Sequence, residues 1–168
     1  LKHFAGALAD AFTEMRMPKC VVFGNHTGAS IALEFGHRFP EKTRGLVLES
    51  LPVFKKSETE DILKYFFPPF HPKWDGSHLF SMWSRVRDQN IWFPWFKRNV
   101  ANMHGWPMAE ADAIHDYVMH FFRAGDSYRY GYSAAFRYKT LPAVKQLNVP
   151  TVFISLEGDI LESHVARL

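Results

Sequence analysis

A short apolar run that stops at a glycine constrains this chain more than any other stretch. Residues 20–23 read Cys-Val-Val-Phe, which is typical of a strand buried on both faces of a parallel sheet. Gly24 ends the run, and Gly28 opens a helical pattern. A strand that passes so abruptly into a helix strains the residue at the apex of the turn, and its neighbours two positions away must be small. The G-x-H-x-G spacing therefore predicts a sharp strand-to-helix turn, a nucleophile elbow, with His26 at its apex.

The residues around this turn resemble the centre of an α/β-hydrolase domain. Residues 21–33, followed by Phe39-Pro40 and the strand-like residues 45–48, are similar to that family's elbow and its next strand. Residues 149–154, followed by Asp159, resemble the strand that delivers the family's catalytic acid. The resemblance implies an α/β fold class: a partial α/β-hydrolase fold with parallel strands, flanking helices and a helical cap insert. The apex residue departs from the family's Ser, Cys or Asp, and a fold alone does not give a function.

The resemblance divides the chain into three segments. Residues 1–51 are expected to form the α/β-hydrolase core around the elbow, with helix–strand–helix–strand order. Residues 52–140 carry most of the tryptophans, prolines and histidines and no buried-strand run, so we expect them to form the helical cap. Residues 141–168 are expected to return to a truncated core with the acid strand. Because the pattern starts in mid-domain, the resemblance implies a fragment of a longer parent that also has earlier strands and a first oxyanion loop.

Helical spacing predicts the elements that surround these strands. Phe4, Leu8, Phe12 and Met15 recur on one face and predict an amphipathic helix before the first strand. Residues 27–39 are apolar or small on almost every side, which predicts a deeply packed helix. Within the cap the pattern predicts helices over 58–67, 78–87, 107–125, where Pro107 stands at the start, and 128–136.

The elbow supplies the candidate catalytic residues. An imidazole at the position of His26 can act as a nucleophile or as a general base, and the N–H of Thr27 is placed to serve as an oxyanion-hole donor. The resemblance makes Asp159 the supporting acid, although Glu49 occupies a place where some relatives keep their acid instead. The family's catalytic histidine belongs farther along the chain, and only His164 follows Asp159. We expect His164 to be a surface residue.

The cap contributes the candidate substrate-binding residues. Its segment over residues 70–95 combines tryptophans with histidines and arginines, a mixture that suits the wall of a small-molecule pocket. We therefore expect His78, Trp83 and Arg87 to face a substrate, with Arg87 suited to a carboxylate through a bidentate pair. The alternative interpretation is that these aromatic side chains only pack the cap against the core.

Composition argues against several classes of partner. The net charge is +3 and the Lys and Arg residues form no basic run, so we expect no nucleic-acid partner. The histidines show no metal-ligand spacing and the glycines no phosphate-loop or dinucleotide spacing, so we expect no metal and no cofactor. The single Cys20, without a leader pattern or a long apolar run, leads us to expect a cytoplasmic protein with no membrane partner. The sequence leaves the oligomeric state open.

Two functions remain after these exclusions. The first is a hydrolase of a small, partly apolar organic substrate, such as an ester or lactone, active in the full-length parent and inactive in this chain alone. The alternative is a non-catalytic α/β-hydrolase homologue that binds a small hydrophobic ligand or a protein partner in the cap cleft. They differ in whether His26 takes part in chemistry, and the lost serine argues against assuming ester hydrolysis.

Overall fold

The chain folds into two compact units, of which one combines helices with a β-sheet and the other is helical. The structure is a computed structural model that describes residues 1–168. Unit 1 comprises Leu1–Lys55 and Ala134–Leu168, and unit 2 comprises Lys56–Ser133. A parallel sheet of three strands is flanked by helices, which confirms the predicted α/β class at this level. None of the helices has both the length and the apolar character needed to span a membrane.

The helices and strands are joined by loops of varied length, with short 3₁₀ turns at Val100–Asn102 and Gly125–Ser127. The elements are α1 (Lys2–Glu14), β1 (Cys20–Asn25), α2 (Thr27–Arg38), β2 (Thr43–Glu49), α3 (Lys56–Tyr65), α4 (Ser77–Gln89), α5 (Ala111–Ala124), α6 (Tyr128–Phe136), α7 (Thr140–Lys145), β3 (Thr151–Ile154) and α8 (Glu162–Val165).

The sheet of unit 1 brings three strand ends together. Its order is β1-β2-β3 and both pairings are parallel. The register aligns Asn25 with Glu49 and Glu49 with Ile154, so the carboxyl ends of all three strands meet at one edge. This edge is where parallel α/β sheets carry their functional groups.

Helix α2 is the core of unit 1, as its composition predicted. Leu33 and Phe35 are fully buried, and they face opposite sides of the helix. Leu33 packs with Leu46 and Leu48 of β2, whereas the ring of Phe35 packs at a tilt against Phe12 of α1, with 5.1 Å between ring centroids. The helix is thus held between the sheet and α1.

The buried face of α1 differs from the predicted one. Phe4 is 38% exposed and Met15 is 63% exposed, whereas Ala5 and Ala9 are buried with Phe12. Helix α1 packs against α2, and two alanines on the packed face let the helix backbones approach more closely than large side chains would.

Unit 2 contains α3, α4 and α5 and most of α6. Helices α4 and α5 pack against each other. Their buried side chains include Met82 and Val86 from α4 and Val118 and Phe121 from α5. The helix predicted to begin at Pro107 begins at Ala111 instead, because the backbone of Glu110 is still extended at φ −61° and ψ 153°.

The turn between β1 and α2 is as sharp as the glycine spacing predicts. His26 has φ 48° and ψ −115°, a conformation that residues other than glycine rarely adopt. A Cβ built on Gly24 would lie 2.6 Å from the carbonyl carbon of Gly28 and 2.7 Å from Cα of Ala29. A Cβ built on Gly28 would meet nothing within 4 Å. The close approach therefore requires glycine at position 24 but not at position 28.

We expect Gly24→Ala to lower the free energy of unfolding by about 3 kcal/mol, because the new methyl group overlaps backbone that cannot move aside independently. Gly28→Ala is the matched control in the same motif. It adds a methyl group in open space on a helix, so we expect no loss and a gain of up to about 1 kcal/mol. Urea denaturation of both variants measures the difference, and equal effects would contradict the assignment of the close approach to Gly24.

Candidate functional site

The imidazole of His26 lies against the carboxylate of Asp159. Nε2 of His26 is 2.8 Å from Oδ2 of Asp159, across 133 positions of sequence. The His26 side chain is 32% exposed and the Asp159 side chain is 11% exposed. Both belong to unit 1, so the fold brings together the two residues that sequence analysis names as catalytic. The imidazole of His26 is thus partly open to solvent, whereas the carboxylate of Asp159 is largely enclosed by the protein.

Asp159 is held in place by the turn that follows β3. Its Oδ1 accepts a hydrogen bond from the N–H of Leu161 at 2.7 Å, which leaves Oδ2 for the imidazole. Gly158, at φ 77°, supplies the left-handed conformation immediately before it. The orientation of the carboxylate is thus fixed by a hydrogen bond from the backbone of the same turn.

Glu49 supports the elbow and does not face the imidazole. Its carboxylate Oε1 accepts a hydrogen bond from Nδ2 of Asn25 at 2.7 Å. Its backbone carbonyl accepts the N–H of His26 at 3.1 Å. Of the two acids that sequence analysis considers, Asp159 is therefore the one within hydrogen-bond distance of the His26 ring, and Glu49 ties the apex to the end of β2.

Thr27 begins α2 directly after the apex. The carbonyl of His26 accepts the N–H of Ser30 at 3.3 Å, which makes it the acceptor for the first turn of the helix. The N–H of Thr27 has no acceptor within the helix, as for the first N–H groups of any helix, and carries the partial positive charge of the helix N-terminus. It is the nearest backbone donor after His26 along the chain.

Ser50 is a feature of this edge that sequence analysis misses. It follows β2 as His26 follows β1, and it also has φ 48°. Its N–H donates to the carbonyl of Ile154 at 2.9 Å, and its fully buried Oγ has no hydrogen-bond partner. No local sequence pattern predicts the strained backbone or the burial of Ser50, because a serine after a strand is an ordinary loop residue.

The prediction that His164 is a surface residue is wrong. His164 is 5% exposed, and its Nδ1 accepts the backbone N–H of Val53 at 3.0 Å. Its ring meets Phe54 edge-on at 4.7 Å between centroids. The imidazole is buried because it satisfies a backbone donor in the chain that leaves β2, a long-range contact with no trace in the local sequence.

A surface cavity of about 690 Å³ adjoins the acid. It is lined by Ser155, Asp159, Glu162, Ser163 and neighbouring apolar residues of the same segment. His26 does not line it. The cavity is thus lined by Asp159 and by residues of α8, and it does not enclose the imidazole of His26.

The three predicted substrate-binding residues lie on α4 of unit 2. Nδ1 of His78 accepts the N–H of Lys73 at 3.0 Å, and Trp83 is half-buried. Arg87 donates to Oδ1 of Asp88 from Nε at 2.9 Å and from Nη2 at 2.7 Å. Nine residues of helix turn Arg87 about 180° from His78, so α4 does not bring these two side chains to one face. The bidentate group of Arg87 is engaged with an internal acid.

Arg85 is the unit 2 residue that sequence analysis misses. It is 3% exposed, and its buried Nε and Nη1 have no hydrogen-bond partner. Burial lowers the pKa of its guanidinium from the ordinary value. The sequence holds a signal for it, because Arg85 stands three positions after Met82 and next to Val86, within the apolar stripe of α4. A charged residue inside such a stripe indicates a buried charge.

No group of three histidine, cysteine, aspartate or glutamate side chains in the chain is arranged to hold a metal ion.

Comparison with known proteins gives a likeness of fold. No family model and no curated protein matches the sequence. The solved structure of Rv0554 from Mycobacterium tuberculosis is similar, with a TM-score of 0.56 and 16% sequence identity over 97% of this chain and 57% of that one. The chain thus spans a little more than half of that structure's length. At this identity the likeness shows a shared arrangement of helices and strands.

Proposed function

We propose that the chain belongs to an α/β-hydrolase-fold protein that hydrolyses a small, partly apolar organic substrate, such as an ester or lactone. Unit 1 then corresponds to part of the hydrolase core, and unit 2 to the helical cap inserted within it. The observation that carries the proposal is His26 at a strained apex, with Nε2 2.8 Å from Oδ2 of Asp159. A strained backbone that presents a titratable side chain beside a carboxylate is a feature of functional sites.

The contact with Asp159 determines which nitrogen of His26 is reactive. An ionised carboxylate only accepts hydrogen bonds, so the neutral imidazole keeps its proton on Nε2 and its lone pair on Nδ1. Nδ1 can take a proton from water, and Asp159 stabilises the imidazolium that forms. This is the role an acid plays beside a catalytic histidine, with water in place of a serine hydroxyl.

The proposed reaction balances without a protein nucleophile. Water gives a proton to Nδ1 of His26 as its oxygen bonds to the acyl carbon, and the carbonyl π electrons move onto oxygen. The N–H of Thr27 donates to that oxyanion. The carbonyl then re-forms, the bond to the leaving alkoxide breaks, and the alkoxide takes the proton back from the imidazolium. The products are a carboxylic acid and an alcohol, and His26 returns to its neutral form.

A direct attack by Nδ1 on the acyl carbon is the other route open to an imidazole. It would form an acyl-imidazole that water must hydrolyse. Trapping with hydroxylamine separates the two routes, since a hydroxamate formed at the expense of acid indicates an acyl intermediate.

The alternative function, ligand binding without turnover, is favoured by one observation: the apex has no hydroxyl, thiol or carboxylate nucleophile.

We expect the neutral His26 ring to be the tautomer with its proton on Nε2. Its ¹⁵N chemical shifts, measured by NMR on the neutral ring, report the tautomer directly. Asp159→Ala removes the acceptor and should let both tautomers populate, whereas Glu49→Gln should leave the preference unchanged because Glu49 contacts Asn25. A proton held on Nδ1 in the unsubstituted protein would contradict the proposed role of Asp159.

We expect His26→Ala to lower kcat/KM on short-chain esters or lactones by about 100-fold or more, the range that general-base catalysis supplies. The substrates are p-nitrophenyl esters and simple lactones, and the protein is assayed at its full natural length. His37→Ala is the matched control, since His37 is an exposed histidine of α2.

Turnover that survives His26→Ala would remove the apex residue from the mechanism. Turnover that appears only in His26→Ser would indicate a scaffold competent for hydrolysis but without its nucleophile. Saturable ligand binding with no turnover in either form would favour the non-catalytic function.

A further inference from the structure

Unit 2 contains a buried cation without a counterion. The Cζ atom of Arg85 lies 4.6 Å from the ring centroid of Phe121, 5.3 Å from Phe66, 5.7 Å from Tyr128 and 5.9 Å from Trp95. All four distances are within the range of cation–π attraction. The rings stabilise the positive charge from their faces, but they offer no acceptor that replaces water at Nε and Nη1.

The acid closest in sequence to Arg85 is already neutralised. Asp88 is 1% exposed and its two oxygens are engaged by Arg87 at 2.7 Å and Arg98 at 2.8 Å. The hydroxyl of Tyr128 donates to the carbonyl of Pro68 at 2.6 Å and is not a hydrogen-bond partner of Arg85 Nε or Nη1. The chain therefore supplies Arg85 with aromatic faces and no anion.

A buried charge is normally paired, because an unpaired one costs several kilocalories per mole of folding free energy. An arginine whose buried Nε and Nη1 have no hydrogen-bond partner, inside an aromatic enclosure, offers a carboxylate fixed donors, low local polarity and apolar walls. We propose that Arg85 binds the carboxylate of a small organic acid whose apolar body packs against the surrounding rings.

The burial of the four rings indicates where such a ligand reaches the guanidinium. Phe66 is 3% exposed, Phe121 4% and Tyr128 8%, whereas Trp95 is partly exposed. Trp95 also lies in the irregular chain between α4 and α5, and its Nε1 donates to the carbonyl of Phe66 at 3.2 Å. Displacement of the Trp95 indole opens Arg85 with the least disturbance, so binding should alter the fluorescence of Trp95.

The test measures binding of sodium acetate, hexanoate and phenylacetate, followed by tryptophan fluorescence and by the shift in melting temperature. We expect saturable binding that strengthens with the apolar body, so that phenylacetate and hexanoate bind more tightly than acetate. The neutral analogue phenylacetamide should bind at least about tenfold more weakly than phenylacetate, since it lacks the charge that Arg85 pairs with.

Variants of Arg85 separate a binding role from a structural one. Arg85→Met should weaken phenylacetate binding by at least about tenfold and abolish the ligand-induced melting shift, while raising the melting temperature without ligand. Arg85→Lys keeps the charge but loses the planar fork, so we expect intermediate binding. Arg123→Met, at an exposed arginine of α5, is the matched control and should bind like the unsubstituted protein.

The proposal is overturned if no carboxylate of the panel gives a saturable response, if phenylacetamide binds as tightly as phenylacetate, or if chloride or phosphate binds as tightly as the organic acids. Binding that survives Arg85→Met would also overturn it. If Arg85→Met does not fold, Arg85→Lys and the amide comparison decide the matter. The result is independent of hydrolysis, because His26→Ala should leave carboxylate binding unchanged while it removes turnover.

Discussion

The backbone contact between Gly24 and the first turn of α2 determines the geometry of unit 1. Because position 24 is glycine, the backbone of α2 can approach it closely and β1 runs into α2 without an intervening loop. The residue between them must reverse direction in one step, which is why His26 takes φ 48°. The hydrogen bond from its N–H to Glu49 then fixes the apex to the end of β2. A single steric constraint thus leads to a side chain that stands at the carboxyl edge of the sheet.

The part of this arrangement that could be predicted is the part encoded locally. The apolar strand, the glycine spacing and the small residues of α2 lie within a few positions of one another, and each has a direct effect on the backbone. The partnership of His26 with Asp159 spans 133 positions and was expected only through a resemblance of both segments to one family. Side-chain burial was harder to predict: α1 buries Ala5 and Ala9 and not Phe4, and small residues on a packed face let two helix backbones approach closely.

Arg85 and His164 show why the remainder escaped prediction. Each is polar, and a polar residue read alone is assigned to the surface. Both are buried because of partners distant in sequence: a backbone N–H at Val53 for His164, and four aromatic rings for Arg85. Arg87 illustrates the converse, since its guanidinium suits a carboxylate by its chemistry but the adjacent Asp88 already accepts hydrogen bonds from its Nε and Nη2. Residue type indicates what a side chain can bind, and tertiary structure decides whether that capacity is already used.

The two strained residues at the sheet edge bear on whether the edge has a function. A turn alone would be served better by glycine, since a residue with a side chain at positive φ is strained by about 1–3 kcal/mol. Arg16, at φ 51°, is explained by its place just past the end of α1, where left-handed residues are common. His26 and Ser50 have no such explanation, because each follows a strand and their strained positions adjoin the same edge. The strained His26 makes a hydrogen bond to a backbone-oriented carboxylate that glycine would forfeit, whereas the Oγ of the equally strained Ser50 has no hydrogen-bond partner. At His26 the strain thus accompanies a side-chain contact that the turn by itself does not require, which is the physical reason for proposing His26 rather than Ser50 as the reactive residue of this edge.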